Sequence, residues 1–258
     1  MSGDLLKIGI SLPVTDSAEL KNIEYIPECF EYIELSGETV NDAGKLHKSH
    51  PLFSEFSFLN FRNIISSSLT CQLTSDNKVI VQEYKKQLRA LFAMASECKA
   101  QYVSIDPDWE NLYCSKERMQ IFNDILASTA GDRDFYNINL LISIRLPGSG
   151  ALAAAESLQM LHKLPPHRVK LALDIHPHEL INSNIEWEKL LRKFRFDAKV
   201  IRFCYASDLG NKLLYTHIAP IVDALKKLQQ VIHIYIAPSG KADLEELAQT
   251  AQAINAKE

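Results

Sequence analysis

The segment Val169-Lys170-Leu171-Ala172-Leu173-Asp174-Ile175-His176 decides the fold. Successive side chains of a strand point to opposite faces. Leu171, Leu173 and Ile175 therefore form one face, and Ala172, Asp174 and His176 the other. A face of large aliphatic residues wants a covering layer of helices, as parallel sheets have. The opposite face turns from small to charged toward the C-terminal end of the strand, so it lines an interior that becomes polar at that end.

The same sorting holds in other short β-branched runs. In Asn139–Ile144 and the residue after it, Leu140, Ile142 and Ile144 alternate with Leu141, Ser143 and Arg145. In Lys199–Cys204, Ile201 and Phe203 alternate with Arg202 and Cys204, and in Val231–Ile236 the isoleucines alternate with His233 and Tyr235. Tyr32–Leu35 adds Glu34, and Tyr102–Ile105 is followed by Asp106. With Lys7–Leu12 and Asn63–Ser67 there are eight such runs, recurring on average every 32 residues. Helical patterns separate most of them: Leu88, Leu91, Phe92 and Ala95 share a face of Val79–Lys99, and Ala151, Ala155, Leu158 and Leu161 share another. Lys241–Ala256 places Leu244, Leu247, Ala251 and Ile254 likewise.

Eight strand–helix units in 258 residues predict an α/β fold, a (β/α)₈ TIM barrel forming a single domain over residues 1–258. An open doubly wound sheet would want a glycine fingerprint after the first strand, and Ile10-Ser11-Leu12-Pro13 has none. The third unit is the least regular, because Phe53–Phe61 is rich in aromatics without clean periodicity.

Composition agrees with a globular chain: 47% hydrophobic, 23% charged, net charge −4 and pI near 6.1. No apolar run approaches the roughly 20 residues of a membrane span, and no apolar leader opens the chain. The one basic stripe, Lys189 to Arg195, is interrupted by Leu190, Leu191 and Phe194 and reads as a helix with a solvated face. Neither nucleic acid nor membrane is expected as a partner. Five scattered cysteines without a C-x-x-C pair suit reduced thiols in a cytoplasm. Assembly into a homo-oligomer is left open.

In this barrel class the C-terminal ends of the strands hold the site. Glu34, Asp106, Asp174 and His176 are the candidates for proton transfer, and Arg145, Arg202 and Tyr235 for contact with a ligand. Charges of both signs on one rim also fit a self-neutralising structural network. The loops Ser207–Lys212 and Pro238–Lys241 sit where such barrels bind phosphate, which adds Ser239 and Lys241 to the binding set. Gly148-Ser149-Gly150 reads as a turn and cap. Asp174 with His176 has the chemistry of a divalent-ion pair, and His178 lies past the strand end. Cys204, inward and without an evident base, reads as a structural thiol.

The chain resembles the xylose isomerase-like TIM barrels, the superfamily of sugar-phosphate isomerases and epimerases. The likeness rests on the Lys7–Leu12 opening, "FEYIELSGE" around Glu34, "LALDIHPHE" in the sixth strand and "VIRFCYASDLG" in the seventh. The resemblance implies a divalent metal held by carboxylates of strands five, six and eight and a histidine of strand seven. Of these only Asp174 is matched. The fifth strand ends in Arg145, the seventh offers Arg202, Cys204 or Tyr205, and the eighth ends Tyr235-Ile236-Ala237-Pro238. No tightly bound metal and no cofactor are therefore expected.

The function expected is a divergent sugar isomerase/epimerase-like barrel, binding a small anionic sugar or sugar acid. Arg145 and Arg202 would grip the anion, and proton transfer would be independent of metal. The competing expectation is a non-catalytic barrel, a degenerate relative acting as a binding or interaction protein.

Overall fold

Each strand has one apolar side and one polar side, and the chain satisfies both by closing the sheet on itself. The computed structural model describes residues 7–13, 25–36, 59–62, 72–73, 76–107, 109, 112, 115–146, 169–176, 186–194, 197–205, 211–228, 232–238 and 244–255. The strands are β1 (Ile8–Pro13), β2 (Tyr32–Ser36), β3 (Leu59–Arg62), β4 (Tyr102–Ile105), β5 (Asn139–Leu146), β6 (Val169–Ile175), β7 (Ala198–Tyr205) and β8 (His233–Pro238). All are parallel, each pairs with the next, and β8 pairs back with β1. Helices α1 (Lys78–Glu97), α2 (Lys116–Ser128), α3 (Ala130–Tyr136), α4 (Trp187–Phe194), α5 (Asn211–Leu228) and α6 (Leu244–Asn255) lie between and after them. This is a (β/α)₈ TIM barrel fold.

The outward face of the ring and the inward faces of the helices make one continuous core. Ile8 and Ile10 of β1, Ile33 and Leu35 of β2, Leu171, Leu173 and Ile175 of β6, and Ile234 and Ile236 of β8 are buried in it. They meet Leu88, Leu91, Phe92 and Ala95 of α1 and Leu247, Ala251 and Ile254 of α6, the faces that the helical spacing marks. Helix α1 starts at the cap Asn77, whose side chain accepts from Ile80 N, and α2 at Ser115, which accepts from Arg118 N. Each cap satisfies a backbone donor that the first turn leaves open.

A second, separate cluster fills the inside of the ring: Tyr32, Leu141, Ala172, Val200 and Tyr235, with Tyr102 against it. Here Gly9 has a strict role. A Cβ on it would lie 2.7 Å from the Tyr235 ring and 2.8 Å from Tyr32 Cβ. The interior is too full at that level for any side chain on β1.

The third strand differs from the sequence expectation. Asn63–Ser67 lies outside the described residues, and the strand paired between β2 and β4 is Leu59–Arg62. The strand ends the aromatic-rich run, in which Phe53, Phe56, Phe58 and Phe61 fall on both parities, so alternation does not mark its bounds. Its identity is fixed by pairing, Glu34 to Asn60 and Ser36 to Arg62. The shift turns Asn60 and Arg62 into the barrel. The expected helix over Ala151–Leu161 also lies outside the described residues.

Candidate functional site

Within the upper half of the barrel, charged side chains from strands on opposite sides of the ring meet at one arginine. Arg202 of β7 donates through Nε to Glu34 Oε1 at 2.7 Å and through Nη2 to Glu34 Oε2 at 2.6 Å, a bidentate fork. Its Nη1 donates to Asp174 Oδ1 at 2.9 Å and to Ser143 Oγ at 3.3 Å, and Nη2 to Ser104 Oγ at 2.5 Å. A guanidinium has five N–H donors, and all five have acceptors. Asp174 then accepts on Oδ2 from Arg62 Nη2 at 2.5 Å, and Ser11 Oγ donates to Glu34 Oε1 at 2.8 Å. The result is an alternating chain, Glu34–Arg202–Asp174–Arg62, drawn from β2, β7, β6 and β3.

Burial explains why every member is paired. Glu34 and Arg202 are fully buried and Asp174 nearly so. An isolated charge there would cost several kcal/mol, about 3–5 when one partner of a buried pair is removed. Burial alone would raise the Asp174 carboxyl; Arg62, Arg202 and, more weakly, His176 outweigh it and hold the group below the ordinary carboxylate range. Burial likewise pulls the Arg202 guanidinium down, and Glu34 and Asp174 more than reverse it. Arg202 is therefore a fixed cation that ties four side chains together. The expectation that it grips a ligand's anion meets a guanidinium with no donor left to offer.

The rim is different. Asp106, just past β4, and Arg145, near the end of β5, keep exposed faces. The Asp106 carboxyl is pushed up to about 6, first by desolvation in the crowded mouth and then by Asp174, against the pull of Arg62, Arg202 and Arg145. His176 follows β6, half-buried, its backbone N–H donating to Leu146 O at 3.1 Å. Asp106, Arg145 and His176 thus gather around the top of the buried chain.

The other expected site residues separate from this group. Tyr235 is fully buried below the rim, and its hydroxyl accepts a hydrogen bond from Asn60 Nδ2 across the barrel. Ser239 and Lys241 lie outside the described residues, as do the loops Ser207–Gly210 and Gly148–Gly150. Cys204 is buried with its thiol pushed up to about 12, by desolvation and then by Asp174. It stays protonated, which removes it as a nucleophile. Sequence reasoning missed Arg62, Asn60 and the serines 11, 104 and 143. Inward parity was available for the serines, but a small hydroxyl residue draws no attention until its partner is known.

The divalent ion implied by the resemblance does not fit these residues. Asp174 has a guanidinium on each carboxylate oxygen, so neither is open to an ion. Among the described residues no three His, Cys, Asp or Glu side chains are grouped to hold a metal.

No family model and no curated protein matches the chain. Solved structures do. A D-tagatose 3-epimerase-like protein superposes with a TM-score of 0.66 at 15% identity, over 98% of this chain and 99% of that one. A D-psicose 3-epimerase from Clostridium cellulolyticum H10, solved with D-tagatose, gives 0.68 at 12% identity over 96% of both chains. A xylose isomerase domain protein from Planctomyces limnophilus gives 0.59 at 10% identity, over 98% and 96%. At such identities the likeness is one of fold. Among the described residues no helix is long and apolar enough to cross a membrane. The interior chemistry belongs to this chain: a saturated arginine between two carboxylates, beneath a rim of Asp106, Arg145 and His176.

Proposed function

We propose that this sugar isomerase/epimerase-like barrel binds a small anionic sugar or sugar acid at its C-terminal mouth without a divalent ion. In this reading Asp106 and His176 move protons. The observation that carries it is the arrangement at Asp174, where Arg62 and Arg202 each take one carboxylate oxygen. Fixed guanidiniums then stand where an ion would otherwise supply positive charge, and guanidinium geometry suits carboxylate or phosphate. The fold neighbours, sugar epimerases among them, support a sugar as the ligand's body. Arg145, with its exposed face at the rim, offers the anionic group a contact that Arg202 cannot.

Glu34 and Asp174 accept on both oxygens from protein donors. Proton transfer therefore falls to Asp106 and His176. A carboxyl near 6 exchanges protons close to neutrality, as a general acid or base must. The test is exchange of carbon-bound hydrogen in D2O, followed by NMR, on ketohexoses, their phosphates and sugar acids with a chelator present. Deuterium should enter next to the carbonyl, and Asp106→Asn should slow it about 100-fold or more.

A second reading, a non-catalytic barrel that binds without turnover, is favoured by the same saturation of Glu34 and Asp174. Ligand-induced stabilisation of the wild type without any exchange would decide for it. Absence of both exchange and stabilisation would sink both readings.

A further inference from the structure

Arg62 belongs to no set of candidates read from the sequence, yet, unlike Arg202, it keeps a donor that the protein does not engage. Arg202 has an acceptor for every N–H. Arg62 donates through Nη2 to Asp174 and weakly through Nη1 to Cys204 Sγ at 3.9 Å. Its Nε–H is buried and meets no acceptor. The side chain is 13% exposed, against 0% for Arg202, and it stands at the C-terminal end of its strand, the end that opens into the mouth. A buried N–H without an acceptor costs about 1–3 kcal/mol, and such a group in a native structure asks for a partner.

The charges around it say which partner fits. Glu34, Asp106 and Asp174 balance Arg62, Arg145 and Arg202, with His176 adjoining Asp174. An entering ligand thus meets no large surplus of positive charge. Two of the carboxylates, Asp106 and Asp174, stand close to Arg62 and repel added negative charge. A dianion meets that repulsion twice over; a monoanion meets it once. A planar carboxylate also matches the planar fork of a guanidinium.

We infer that Arg62 recognises the ligand's anionic group and that this group is the carboxylate of a sugar acid. The inference rests on the proposed sugar-binding mouth and narrows it. Asp174 holds one nitrogen of Arg62 and fixes the plane of the guanidinium, and the remaining donors face the carboxylate. Arg145 contributes from the rim.

The test is calorimetric binding of four probes, D-gluconate, D-glucuronate, D-glucose and D-glucose 6-phosphate, to the wild type, Arg62→Gln and Arg62→Lys. The wild type should bind the two sugar acids at least about tenfold more tightly than glucose or the phosphate. Arg62→Gln should lose about 10- to 100-fold for the acids, with glucose unchanged. Arg62→Lys keeps a positive charge beside Asp174, preserves the fold if Arg62→Gln does not, and should still lose about tenfold because it lacks the fork. Wild-type affinity for the acids in a folded Arg62 variant would make Arg62 a partner of Asp174 only, with the sugar-binding mouth intact. A wild-type preference for the phosphate would overturn the carboxylate assignment and leave the mouth standing. Binding of none of the four probes would overturn both.

Discussion

The two halves of the barrel interior are built from the same strands, two residues apart, and are closed by different physics. The upper half is closed by hydrogen bonds: one guanidinium, two carboxylates, three serines and a second arginine. The lower half is closed by rings and small aliphatics. Tyr32 and His233 stand 4.7 Å apart between centroids, Tyr102 and His233 5.5 Å, and Tyr32 and Tyr235 6.4 Å. Leu141, Ala172 and Val200 fill what remains. The upper half is thus sensitive to any loss, because a departing partner strands a charge. The lower half is sensitive to added volume, because it is already full.

The largest expected effect breaks the upper half. Arg202→Ala leaves Glu34 and Asp174 without their shared cation and should destabilise the fold by about 3–5 kcal/mol in urea unfolding. A loss below about 1 kcal/mol would erase the distinction between the halves. Gly9→Ala tests the lower half by overfilling it. The new Cβ meets the Tyr235 ring and Tyr32 Cβ at under 3 Å, and the cost should be about 1–3 kcal/mol. An unchanged unfolding midpoint would show that the tyrosines yield freely.

Acid should separate the halves by pH. His233 is made less basic by burial first and by Lys7 and Lys199 next. The folded state disfavours its protonated form, so this contribution is complete above the ordinary value of 6.5 and is lost as pH falls below it. Asp174 is depressed, so its contribution holds above the ordinary 3.8 and is lost only below that, toward its folded value. Asp106, raised to about 6, acts in the opposite sense and favours the fold as pH falls from 6 toward 3.8. The difference between the wild type and His233→Gln cancels the Asp106 part. Thermal midpoints from pH 8 to 4 should diverge below 6.5, with the variant less acid-sensitive. Parallel curves would remove His233 as the source. The smallest effect is the control: Arg192→Ala cuts an exposed pair with Glu188 on α4, and the midpoint should not move measurably.

Much of this was legible in the sequence. Alternation alone put Glu34, Asp174 and Arg202 inside, because their strands are long enough for apolar neighbours such as Ile33, Leu173 and Ile201 to mark the other face. It failed at β3, where Phe56, Phe58 and Phe61 ahead of Arg62 fall on both parities and mark no single face. What the arginines do was not legible. Whether Arg202 faces a ligand or four protein acceptors depends on side chains that approach from β2, β4, β5 and β6, up to 168 residues away along the chain. Parity gives the direction of a side chain and says nothing of what meets it there.

The five-fold engagement of Arg202 has a consequence for how this interior can change. Exchanging Arg202 for a metal-binding histidine frees two carboxylates at once, and exchanging Glu34 or Asp174 first leaves the guanidinium short of charge. Any single-residue step that removes Arg202, Glu34 or Asp174 on the way to an ion-binding interior therefore gives a poorly folding intermediate. The network acts as a ratchet on substitution. Variation is channelled into Asp106, Arg145 and His176 at the rim, where a new side chain alters what is bound without unseating what is folded.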